Sequence, residues 1–196
     1  MDNVLESLKM ELERFGEEND NASIERSGRM LNITRDTGEF LSLLIRAMAA
    51  RRILEIGTSN GYSTLWLAEA VRATGGMVTT VEVAEYKFRL ASANFARSGL
   101  ASIVKPVHDD AARVLQQSED DSFDFVFLDA ERSQYVGWWR HLRRILRPGG
   151  LLVVDNATSH HEDVAPLVAA VKADFAFVTS LVPVGNGEFL AVRGGT

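Results

Sequence analysis

The sequence predicts an α/β fold: a mostly parallel seven-stranded sheet with helices on both faces and one antiparallel strand in a C-terminal hairpin. Three observations predict it. From Arg52 onward, short apolar runs alternate with amphipathic ones, the pattern of repeated strand–helix units. Two of those runs, Phe123–Leu128 and 151–154, are apolar almost without a break, so both faces of these strands must be covered. The last two runs, Phe177–Val182 and 188–192, are joined only by residues 183–187, a connection that permits an antiparallel hairpin and nothing else.

Taken in order, residues 3–18 read as a helix with Leu5, Leu8, Leu12 and Phe15 on one face and Glu6, Lys9, Glu13 and Arg14 elsewhere. Such a stripe packs on its own domain or covers a partner subunit. A homodimer with this helix in its interface is the expectation. Residues 16–27 are polar, with Asn19, Asp20 and Asn21, and read as a loop. Residues 36–50 form a second helix with Phe40, Leu41, Leu44, Ile45 and Met48 inward. Strands follow at 52–57, 77–83, 103–108, 123–129 and 150–155, with helices near 62–73, 85–98, 110–117, 134–146 and 162–173. The chain reads as one domain over 1–196, with N-terminal helices in 1–50 and the core in 51–196.

Composition bounds the function. The 196 residues suffice for one sizeable core, and 46% hydrophobic with 24% charged residues is ordinary for a soluble globular chain. A net charge of −6 argues against nucleic acid as the main partner. The absence of cysteine removes disulfides and thiolate chemistry and fits the cytoplasm. No apolar run is long enough to span a membrane, and the first residues lack the basic and apolar regions of a signal peptide. A cytoplasmic protein with no membrane partner is therefore expected.

The most informative stretch is 51–63. An apolar strand stops at Gly57, a polar turn follows, and Gly61 precedes a helical run that begins near Ser63. Glycines let a ligand approach the backbone, and a helix start offers free N–H groups. A dinucleotide fingerprint needs a third glycine that is missing here, and a phosphate-binding loop needs a lysine before Ser63, where Tyr62 stands. About twenty-five residues on, Glu82 ends the next strand. An acidic residue there suits the hydroxyls of a ribose; the alternative is an ordinary exposed strand end.

The polar residues at the other strand ends are Glu55 with Gly57, Asp109 with Asp110, Asp129, and Asp155 with Asn156. Ligands of open α/β sheets bind outside the carboxyl ends of the strands, so these residues share one candidate edge. Asp129, Asp155 and Asn156 form a hard, all-oxygen set that suits Mg²⁺. The competing reading makes Asp155 and Asn156 a strand cap and Asp129 a turn residue.

The run from Glu55 to Ser63 resembles motif I of class I S-adenosylmethionine-dependent methyltransferases. It is most similar to the small-molecule O-methyltransferases related to catechol and caffeoyl-CoA O-methyltransferase. The likeness extends from about Met30 to Arg193. It implies a Rossmann-like sheet ending in one reversed strand and S-adenosylmethionine as cofactor. Gly57, Thr58, Ser59, Asn60 and Gly61 would pass under its methionine portion, and Ser63 would lie near its carboxylate. Glu82 would take the ribose, and Asp110 with Ala111 would flank the adenine. The stretch 31–34, including Ile33, would cover the methionine end. Asp129 would serve both cofactor and catalysis, and with Asp155 and Asn156 would hold a divalent cation, Mg²⁺ first among them.

Two departures stand out. Where relatives carry a lysine base, this chain has Arg132, which cannot deprotonate an acceptor at neutral pH. That leaves metal-assisted ionisation, a base among Glu131, His160 and His161, or Arg132 as a clamp for a substrate anion. The segment after Asn156 is also short, leaving Tyr135, Trp138 and Trp139 or a partner subunit to wall the acceptor pocket. The expected activity is methyl transfer to a hydroxyl of a small, aromatic, catechol-like acceptor, assisted by a divalent metal. The alternatives are a metal-independent methyltransferase of the same fold and a cofactor-binding homologue with little turnover.

Overall fold

The computed structural model of the chain describes residues 2–195. Two helices come first, α1 (Asp2–Ala22) and α2 (Arg35–Ala47). Strands and helices then alternate: β1 (Arg52–Ile56), α3 (Tyr62–Thr74), β2 (Met77–Glu82), α4 (Glu85–Ser98), β3 (Val104–His108), α5 (Ala111–Gln117), β4 (Phe123–Leu128), α6 (Tyr135–Ile145), β5 (Leu146–Val154) and α7 (His161–Lys172). The hairpin β6 (Phe177–Val182) and β7 (Glu188–Arg193) closes the chain.

The strands form one sheet in the order β3-β2-β1-β4-β5-β7-β6. All pairs from β3 to β5 are parallel, and β7 runs antiparallel to both β5 and β6. The mostly parallel sheet with one reversed strand is thus the observed architecture. Successive strand residues point to opposite faces. Ile53, Phe125, Phe127, Leu151 and Val153 join one core with α1, α2, α3 and α4. Leu54, Ile56, Val126, Leu128, Leu152 and Val154 join the other with α5, α6 and α7. Two dry faces explain why the central strands are apolar without alternation.

Two elements differ from the sequence reading. Helix α1 continues to Ala22, over the first part of the stretch 16–27 read as a loop. Its polar end is fixed by tertiary bonds: Asp20 accepts the Met30 and Leu31 N–H groups at 2.6 and 2.9 Å, and Asn32 Nδ2 donates to the Leu12 carbonyl at 2.9 Å. Strand β5 starts four residues early because Leu146 pairs with Phe123 before the register shifts. The irregularity holds Pro148, which has no N–H to donate, and Gly149 at φ +74°. The stripe expected to reach a partner is used inside the chain, with Leu5, Leu8 and Leu12 in the core. Phe15, the fourth member of the stripe, lies outside that core and is half-buried. Among the described residues no helix is long and apolar enough to cross a membrane.

The edge of the sheet opposite the site is tied by one carboxylate. Asp124 accepts the Arg51 and Arg52 N–H groups, both at 2.8 Å, and pairs with the Arg52 and Arg147 guanidinium groups at 2.9 and 2.7 Å. Burial alone would raise its pKa, but these partners outweigh burial and hold it down at about 2. A depressed folded pKa stabilises the fold above the unfolded value and loses that contribution as pH falls through the folded one. Asp124→Ala should therefore lower the unfolding free energy by about 2–4 kcal/mol near neutrality, the scale of losing charged hydrogen bonds. In urea titrations at descending pH, the gap between parent and variant should narrow from about pH 4 toward pH 2.

Candidate active site

The carboxyl ends of the parallel strands lie side by side because each tip residue hydrogen-bonds back to the neighbouring strand. Asp109 N–H donates to the Glu82 carbonyl at 3.1 Å, Gly57 to Val81 at 3.0 Å, Asp129 to Ile56 at 3.0 Å and Asp155 to Leu128 at 3.1 Å. From β1 the chain winds outward to β2 and β3, and from β4 outward to β5. The winding reverses between β1 and β4, and open α/β sheets bind ligands in the crevice at that point.

The turn after β1 has an unusual backbone. Gly57 has φ +103°, and a Cβ there would stand 1.9 Å from the Asp129 carbonyl oxygen. Ser59 adopts φ +49°, a conformation costly for a non-glycine residue and concentrated at functional sites. The predicted side chains mostly face inward. Glu55 is fully buried and accepts the Ser63 and Thr80 hydroxyls, each at 2.6 Å, and the Thr64 hydroxyl. Thr58 shares a 2.5 Å bond with Thr80, and buried Asn60 accepts the Tyr62 N–H at 3.0 Å. Gly61, at φ +89°, packs against the Phe95 ring. What the turn leaves partly open is the backbone at Gly57 and Ser59.

Glu82 stands across from this turn. Its two carboxylate oxygens accept the Ser59 and Ala84 N–H groups, both at 2.9 Å, which fixes the side chain without exhausting its lone pairs. The Ser59 hydroxyl donates to the Met30 carbonyl at 2.6 Å, bringing the 30–34 stretch over the turn, where Ile33 is buried. Asp110 is exposed, one strand further out, and caps α5 by accepting the Ala112 N–H at 2.8 Å, with Ala111 the first helical residue.

On the other side of β1, the structure brings Asp129, Asp155 and Asn156 together. The Asn156 amide nitrogen donates to Asp129 Oδ1 at 3.3 Å and to Asp155 Oδ2 at 2.8 Å. Asn156 sits at φ +63°, a second strained residue on this edge. Burial and the Asp155 charge raise the Asp129 carboxyl well above its ordinary value, against the pull of Arg132 and Lys87. Burial raises Asp155 too. Arg132 begins a 3-10 turn, Arg132–Gln134, and is buried against Asp163 on α7 at 3.5 Å. Tyr135 is buried and its hydroxyl clamps the Ala130 backbone, and Trp138 belongs to the core, so neither is a free pocket wall.

A family model described as O-methyltransferase matches residues 7–193. This chain belongs to the O-methyltransferase family. It is therefore a methyltransferase. A catechol O-methyltransferase of Mycobacterium tuberculosis is 38% identical over 124 residues, 63% of this chain and 56% of that protein. One from Niastella koreensis is 34% identical over 139 residues, 69% of this chain and 62% of that protein. The O-methyltransferase of Bacillus cereus, solved in complex with SAH, superposes with a TM-score of 0.80 at 26% identity, covering 95% of this chain and 90% of that one.

This O-methyltransferase carries one acidic site residue that the sequence reading missed. Glu188 is fully buried, interacts electrostatically with Asp155 and accepts the Thr37 hydroxyl at 3.1 Å. Burial and repulsion from Asp155 push its carboxyl up to about 10, so it carries a proton at neutral pH. Its signal in the sequence was faint: a charged residue opening an otherwise apolar strand.

Glu55 gives the turn a pH dependence. Burial raises its pKa, the three hydroxyls lower it and Glu82 raises it again, leaving it at about 7. With the folded pKa above the ordinary 4.5, the unfolded chain loses its proton first, so stability falls as pH rises from 4.5 to 7. Glu55→Gln keeps an acceptor for the hydroxyls and removes the titration. Chemical unfolding at pH 5 and pH 8 should show a smaller loss of stability across that interval in the variant than in the parent.

Proposed function

We propose that this chain binds S-adenosylmethionine at the β1–β2 side of the switch point and transfers its methyl to a hydroxyl of a small aromatic, catechol-like acceptor held on the β4–β5 side. One observation carries the reading. A fixed carboxylate suited to ribose and a hard oxygen cluster lie on opposite sides of a single strand tip, with strained, glycine-opened backbone between them. The SAH complex of the Bacillus cereus relative and the catechol relatives support the two halves.

The residues fit the cofactor by their chemistry. Gly57 lets backbone approach without a side chain in the way, and Glu82 is set by two N–H donors before any ligand arrives. S-adenosylmethionine, when bound, supplies an already electrophilic methyl, so the protein has only to orient the acceptor oxygen and favour its anion. Asp110 and Ala111 form the edge next to the adenine, and Ile33 covers the opposite end.

The residues also fit a divalent cation. Asp129 and Asp155 are neighbouring carboxyls that burial raises, Asp129 with the added push of the Asp155 charge, and among the described residues Glu188 Oε2 is buried without a hydrogen-bond partner. Asn156 completes a hard set once its Oδ1, now accepting the Ser159 hydroxyl at 3.3 Å, is offered to the ion. Among the described residues no group of three or more His, Cys, Asp or Glu side chains is placed to hold a metal. Two carboxylates and one amide describe the partly hydrated site that Mg²⁺ accepts. The bound ion would lower the pKa of an acceptor hydroxyl. The reading in which turnover needs no metal is its competitor.

Two measurements test this. In calorimetry, Glu82→Ala should weaken S-adenosylmethionine binding by about 1–3 kcal/mol, the cost of unmatched polar groups; NAD binding with no heat from S-adenosylmethionine would end the reading. In methyl-transfer assays, excess chelator should abolish turnover and Mg²⁺ or Mn²⁺ should restore it. Asp155→Ala should remove turnover while leaving cofactor affinity nearly unchanged. Full activity in chelator, with Asp155→Ala as fast as the parent, would make the enzyme metal-independent.

A further inference from the structure

Arg132 is buried more deeply than its contacts explain. Its side chain is 7% exposed, yet its one ion pair among the described residues is the 3.5 Å contact from Nε to Asp163 Oδ2, and Asp163 is itself 57% exposed. Among the same residues its guanidinium donates no hydrogen bond to a protein acceptor. A guanidinium carries five donors and keeps its charge at every accessible pH. Most of that capacity is unused.

A purely structural role would look different, and the chain supplies the comparison. Where arginines compensate a buried carboxylate here, they close on it: Arg52 and Arg147 reach Asp124 at 2.9 and 2.7 Å. Arg132 influences Asp129 and Asp155 through its charge without pairing to either. It lies beside the acceptor side of the site, between the end of β4 and the start of α7, and is held at one end by Asp163. The carboxyl groups beside it are Asp129, Asp155 and Glu188, and the other positive groups that bear on them are Lys87 and His160. Of these three cations Arg132 is the buried one, so it is the one held in place.

We propose that Arg132 is a specificity-determining residue whose guanidinium binds a carboxylate on the methyl acceptor, so that the enzyme takes hydroxylated aromatic acids in preference to neutral phenols. The inference rests on the acceptor site proposed above. Planar, bidentate pairing with a carboxylate is the interaction for which arginine is better shaped than lysine.

The test compares catechol with protocatechuate, the same vicinal diol bearing a ring carboxylate. The parent should show a KM for protocatechuate at least about 10-fold below that for catechol, the scale of one charge-assisted pair. Arg132→Gln should raise the protocatechuate KM by about 10-fold or more and change the catechol KM by a much smaller factor. Arg132→Lys should recover part of the loss, and unchanged binding of S-adenosylhomocysteine confirms that both variants are folded. Equal KM values in the parent, or an Arg132→Gln effect that is the same for both diols, overturns the proposal. If neither diol is methylated, the acceptor reading fails, and calorimetry on the S-adenosylhomocysteine-loaded protein still decides the subsite. Protocatechuate binding that exceeds catechol binding and is lost in Arg132→Gln sustains it, and no difference between the diols overturns it.

Discussion

The contact between the tips of β1 and β4 is the constraint on which the rest of the site depends. Gly57 and Asp129 approach so closely that no side chain fits between the glycine and the Asp129 carbonyl. The two halves of the sheet wind away from this seam, so everything on the ligand-binding edge takes its position from it. Glu82 lies one strand to one side and Asp155 one strand to the other. Any residue larger than glycine would part the tips and separate the two groups.

The second theme is the amount of negative charge this edge tolerates. Glu55, Asp129, Asp155 and Glu188 are all raised above their ordinary pKa values, with burial the leading cause in each case. A fold built only for stability would replace such groups with apolar ones of similar volume. Their companions are backbone residues in costly conformations, Ser59 and Asn156, on the same edge. Strain and buried acidity at one place are what a protein keeps for chemistry, while Asp124 at the opposite edge is fully paired and depressed.

Much of this was legible in the sequence, and the failures have physical causes. The central strands announced themselves because burial on both faces demands unbroken apolar runs, as in β4. The end of α1 was misread because Asn19 and Asp20 look like loop residues until the backbone they hold, at Met30 and Leu31, is seen to come from elsewhere in the chain. Residue types at strand tips anticipated that Asp129, Asp155 and Asn156 would come together and that Glu82 would face the turn after β1. They did not show that Glu55, Thr58 and Ser63 turn their side chains inward, because side-chain direction in a turn follows from dihedral angles that spacing does not encode. Glu188 escaped for a topological reason. Parallel strands reach that edge with their ends, and on a reversed strand the tip that reaches it is the beginning.

That reversal makes hairpin register part of the site's chemistry. Phe189 opposes Val154 and Glu188 opposes Val182. Since neighbouring strand residues face opposite ways, a slip of one position would withdraw the carboxyl and present a phenyl ring beside Asp155. The connection at residues 183–187 guards against this, with Gly185 packed against Thr34 and Thr37 and Gly187 against Thr158. The hairpin loop thus decides whether the edge offers a carboxyl or a hydrocarbon. Lengthening it by one residue would be a change of chemistry written as a change of length.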